Sequence, residues 1–117
     1  MTRKRAITLV RSMLAGMAIA ALAVAASAQT SGIAVTIDNF TFAPQQITVK
    51  AGDTVTWTNH DDIPHTVRST TMAFKSNALD TDDKFSFTFA TPGKYDYFCS
   101  LHPHMTGSIL VEPVAGK

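Results

Sequence analysis

The chain has 117 residues, of which 45% are hydrophobic and 16% charged, with a formal net charge of +1 and a single cysteine. That length allows one domain with a modest core. The charge balance offers no basic stripe for nucleic acid, and one cysteine excludes an internal disulfide.

The first element is a leader. Arg3, Lys4, Arg5 and Arg11 precede an uncharged run of fourteen residues, Met13 to Ala26, which leads into Ala26-Ser27-Ala28. A positive start, a short apolar run and an A-x-A site make a secretory signal, expected to be cleaved after Ala28. The run is shorter than the ~20 apolar residues of a bilayer-spanning helix. Residues 1–28 are therefore read as a signal peptide and 29–117 as one domain, exported to the periplasm and free of the membrane once cleaved. Loss of four basic residues leaves six Lys and Arg against nine Asp and Glu, a net charge of −3. The mature chain is mildly acidic, and its thiol is free, intermolecular or bound to something.

Strands follow in order. Ile33, Val35 and Ile37 alternate with polar residues; Ile47 and Val49 repeat the pattern, then Val55 and Trp57, then Phe85, Phe87 and Phe89. Period-two alternation means one buried and one wet face. Tyr95 to Cys99 and Ser108 to Val111 add two β-rich runs, and Ala51-Gly52-Asp53, Thr91-Pro92-Gly93 and Thr106-Gly107 supply turn chemistry. The expectation is an all-β protein, an antiparallel sandwich or barrel. Residues 71–83 read as an irregular loop with room for a short turn of helix.

The chemistry lies in Cys99-Ser100-Leu101-His102-Pro103-His104-Met105. A copper ion that cycles between two oxidation states needs a soft thiolate, imidazoles acceptable to both states and a weak axial thioether. Cys99, His102 and Met105 supply these from one loop between two strands, and His65, after Pro64, supplies the second imidazole from a separate strand at the sandwich end. Pro103, with its fixed φ, stiffens the loop. Taken singly, a buried Cys is usually an inert small hydrophobe and a Met core filler. Their joint spacing in an exported all-β chain argues for a site.

These residues carry a resemblance to a known family. Val49-Lys50-Ala51-Gly52-Asp53-Thr54-Val55-Thr56-Trp57, Asn59 with Pro64-His65, Gly93-Lys94-Tyr95-Asp96-Tyr97-Phe98-Cys99, and His102-Pro103 with Met105 resemble the small blue-copper proteins of the cupredoxin superfamily, the amicyanin group above all, with plastocyanin and pseudoazurin related. The resemblance implies a Greek-key β-sandwich of about seven to eight strands. It implies one copper ion per chain, with His65, Cys99 and His102 in a trigonal plane and Met105 axial. The implied role is a soluble, monomeric one-electron shuttle between redox proteins such as a cytochrome c or a dehydrogenase, docking around the exposed edge of His102.

Two positions depart from that group. Leu101 stands where relatives often have proline, so its amide is expected to donate to the Cys99 sulfur and raise the reduction potential. His104 replaces an aromatic hydrophobe and reads as a surface histidine, as does His60 beside Asp61 and Asp62. Asp80-Thr81-Asp82-Asp83 is a candidate for steering a basic partner. A zinc hydrolase is disfavoured, because methionine is not a usual zinc ligand and the loop holds no carboxylate base. A copper oxidase would need further histidines. Storage or delivery of copper ions is the rival to electron transfer, since ligand identity alone does not separate them.

Overall fold

The computed structural model describes residues 32–114; the expected leader and its cleavage site lie outside them. Eight strands form: β1 (Gly32–Asp38), β2 (Thr41–Ala43), β3 (Gln46–Lys50), β4 (Thr54–Asn59), β5 (Arg68–Ser69), β6 (Lys84–Thr88), β7 (Gly93–Cys99) and β8 (His102–Glu112). They make two four-stranded sheets, ordered β2-β1-β4-β6 and β3-β8-β7-β5. The chain stays within one sheet only at the β1–β2 and β7–β8 hairpins and crosses between sheets at every other connection. The result is the expected all-β Greek-key sandwich.

The pairing is not uniformly antiparallel. β1 runs parallel to β4 and β3 parallel to β8, because the crossings return the chain in its original direction. β2 and β5 are too short to show a period-two signal. No helix forms among the described residues; 70–83 is instead a string of turns tied down by two isolated bridges, Arg68 to Lys75 and His65 to Leu79.

The alternating residues fill the space between the sheets. Val35 and Ile37 of β1, Val55 and Trp57 of β4, Tyr97 and Cys99 of β7, and Ile109 and Val111 of β8 are all buried. Phe74, from the irregular segment, enters the same core with its ring 5.7 Å from Trp57, 5.4 Å from Phe89 and 6.2 Å from Tyr97. That anchorage matters because the segment also carries Leu79, the backbone partner of His65.

The β7–β8 hairpin is tighter than the sequence suggests. The loop was expected to run from Cys99 to a strand starting near Ser108, but β8 already begins at His102 and only Ser100 and Leu101 turn the chain. Cys99 pairs with His102, whereas the next pair is Phe98 with Thr106, so Pro103, His104 and Met105 stand outside the paired register as a bulge. A bulge re-aims side chains without breaking the strand.

Candidate metal centre

Asn59 organises the approach to the site. Its side chain is wholly buried, donates to the carbonyls of Ile63 at 2.9 Å and Leu79 at 2.8 Å, and accepts the Asp61 amide at 2.8 Å. Both of its N–H donors and its carbonyl oxygen thus shape the segment that delivers His65. His65 itself exchanges backbone hydrogen bonds with Leu79, its N–H donating at 3.1 Å and its carbonyl accepting at 2.7 Å. It was expected to head a strand; it sits instead in this single bridge, three residues before β5 begins.

Three predicted ligands converge. Nδ1 of His65 and Nδ1 of His102 are 3.2 Å apart, and each lies 3.7 Å from Sγ of Cys99. His65 and Cys99 are fully buried and His102 partly so. Two imidazole nitrogens and a sulfur facing one another form a triangle whose corners a single ion could reach with bonds of about 2 Å. The thiolate and paired imidazoles fit copper, which favours a soft sulfur beside imidazole. Met105, on the β8 bulge, is buried in the core cluster. His60 and His104 are exposed and stand apart from the triangle.

Groups behind the ligands orient them. Nε2 of His65 lies 2.8 Å from Oδ2 of Asp61. A histidine that donates one ring N–H to a carboxylate presents its other nitrogen as a ligand. Partial burial pushes the Asp61 carboxyl up, but hydrogen bonds from the Phe40 and Asn39 amides and from His65 outweigh it and hold the group below its ordinary value of 3.8. The Thr66 amide donates to Cys99 Sγ at 3.3 Å. The sulfur therefore takes its backbone hydrogen bond from Thr66, where the Leu101 amide was expected. Sequence reading also passed over Phe40, whose ring meets both imidazoles edge-on. A carboxylate four residues before a histidine was the available signal for Asp61; Thr66 and Phe40 offered none.

Comparison with known proteins agrees with this geometry. The chain is similar to amicyanin of Paracoccus versutus, 34% identical over 93 aligned positions covering 75% of this chain and 70% of that protein. It is similar to amicyanin-alpha of Methylorubrum extorquens, 34% identical over 111 positions covering 86% and 89%. It is also similar to chloroplastic plastocyanin of Tetradesmus obliquus, 33% identical over 113 positions covering 84% and 78%. The fold matches the structure of a reduced amicyanin variant with a TM-score of 0.66 at 35% identity, over 69% of this chain and 82% of the other. Residues 10–111 match the cupredoxin-like domain, and since that span includes every ligand of the triangle, the chain belongs to the cupredoxin-like family.

Proposed function

We propose that the chain is a one-electron carrier built on a mononuclear type 1 copper site, in which His65, Cys99, His102 and Met105 would hold one ion per chain. The observation that carries this reading is the preformed triangle of two Nδ1 atoms and one Sγ, two of its three residues fully buried. When bound, copper supplies a one-electron couple. The protein's part is to hold the donors still, so that little rearranges when the charge changes. His65 is anchored in the crossing from β4 to β5 and Cys99 at the end of β7, and His102 reaches the surface between exposed Phe40 and Leu101. Electrons would enter and leave at that partly exposed imidazole.

In this reading the chain has no catalytic step of its own and passes electrons between redox proteins, a cytochrome c or a dehydrogenase being suitable classes. Burial of two ligands disfavours rapid hand-over of the ion, as storage or delivery of copper would need. The acting form is a monomer that starts at Gln29 in the periplasm, which N-terminal sequencing of the exported protein checks. Titration of the protein with Cu(II), followed by optical and paramagnetic spectra, tests the site. An intense blue thiolate-to-copper band supports it; colourless tetrahedral binding supports zinc instead.

A further inference from the structure

The two-residue turn between β1 and β2 is under backbone strain. Asn39 and Phe40 both have positive φ, 52° and 55°. A type I′ hairpin turn requires this of both residues, and glycine usually takes the second place. A bulky aromatic there is an outlier. Asp61 holds the turn in place: Oδ1 accepts the Asn39 amide at 2.6 Å and Oδ2 the Phe40 amide at 2.9 Å, while the same Oδ2 meets His65 Nε2 at 2.8 Å.

The strained turn places Phe40 where it touches both imidazoles. Its ring centroid lies 5.3 Å from that of His65 and 5.2 Å from that of His102, nearly perpendicular to each, and the two imidazoles are 4.9 Å apart. Phe40 remains 50% exposed, so burial of its own surface is a weak reason to tolerate the strain. Strain kept next to a functional group points to a role there. His102 opens β8 directly after the two-residue turn and is only partly buried, so it is less enclosed than the other two residues of the triangle.

We propose that Asp61 and Phe40 form a positioning latch. Asp61 ties the β1–β2 turn to His65, and the Phe40 ring, held by that tie, walls His102 against His65 so that their nitrogens stay converged. The inference rests on the copper reading above. Neither residue is a ligand; both act through the histidines.

The test compares Phe40→Gly, Asp61→Asn and Phe40→Tyr with the parent, reading copper release to a chelator, the paramagnetic spectrum of the Cu(II) form and the thermal midpoint of the apoprotein. Glycine relieves the positive φ, so a purely structural Phe40 predicts an unchanged or raised midpoint and unchanged copper behaviour. The latch predicts that Phe40→Gly and Asp61→Asn each release copper about tenfold faster than the parent, with an altered spectrum. Phe40→Tyr keeps the ring and should behave as the parent. Release from Phe40→Gly within about twofold of the parent, or loss as fast from Phe40→Tyr as from Phe40→Gly, overturns the latch. A parent that develops no blue band with Cu(II) overturns the copper reading itself.

Discussion

Thr66 controls the surroundings of the sulfur. Its amide donates to Cys99 Sγ, and its hydroxyl lies 3.8 Å from the same sulfur. That hydroxyl also accepts the Ser100 amide at 2.7 Å and lies 2.7 Å from the Ser100 hydroxyl. A threonine hydroxyl has one proton and two acceptor sites. With both Ser100 groups donating to it, its own proton is free to point at the sulfur. Hydrogen bonds there stabilise the electron-rich thiolate and favour reduced copper. Thr66→Val should therefore lower the reduction potential and shift the blue band, and Thr66→Ser should restore both; voltammetry and absorption spectra check this. The valine variant should also lose about 1 kcal/mol of stability, because the Ser100 amide loses its part-buried hydrogen bond to Thr66. The three residues of the triangle, His65, Cys99 and His102, were legible in the sequence as candidate donors, because softness and basicity belong to the side chain wherever it sits. Thr66, Asp61 and Phe40 were not, because their effect depends on which atom the fold brings beside them.

Among the elements, the β7–β8 hairpin carries both the site and a packing constraint. Tyr97 pairs across the hairpin with Gly107 and packs its ring over that glycine, against Phe42 at 4.7 Å and Trp57 at 5.5 Å. A Cβ added at Gly107 would meet the Tyr97 hydroxyl at 2.5 Å and Cε1 at 2.8 Å. The ring is enclosed and cannot retreat. Gly107→Ala should cost about 1–3 kcal/mol through overpacking, read as a drop in denaturation midpoint. The same variant should perturb the copper spectra, since the bulge ends at Met105, two residues before Gly107. Most strands were legible from alternation, because each has a buried and a wet face. The bulge was not: it is a mismatch between two strands, and neither strand records it alone. The segment from Thr71 to Asp83 was legible as an irregular loop, but its order was not, since that arises from Phe74 in the core and from bridges to distant residues.

For the whole molecule, burial and net charge each lead to a measurable property. Burial pushes the Tyr97 hydroxyl up to about 12, with the Trp57 indole acting in the opposite sense. In the unfolded chain a tyrosine titrates near 10. Between these values the folded state keeps a proton that the unfolded state loses, so stability present below about pH 10 falls as pH rises toward 12, by up to about 3 kcal/mol. Denaturation at increasing alkaline pH should show this decline, and Tyr97→Phe should abolish it. On the surface, the Asp80–Asp83 turn lies against the segment that bears the site, with the Thr81 hydroxyl donating to the Asp61 carbonyl at 2.6 Å and the Asp82 amide to the Asn59 carbonyl at 2.6 Å. The acidic run is therefore at the same end of the sandwich as His102. Electron exchange with a basic cytochrome c should slow as salt is added; a flat dependence would remove electrostatic steering.

The sequence by itself marked the candidate donors and the class of fold. Both follow from local properties: the chemistry of Cys99, His65, His102 and Met105, and a period-two pattern that any strand with one buried face must show. Only the tertiary structure decided that the donors meet. Cys99 and His65 are 34 positions apart, and their 3.7 Å separation depends on how two sheets pack and on how Asn59 and Leu79 hold the chain between them. The tertiary structure likewise decided the parallel pairings and the donor to the sulfur, and it set Phe40 over both histidines. Each is a distance between residues remote in the chain, and such distances are settled by packing rather than by neighbouring residues.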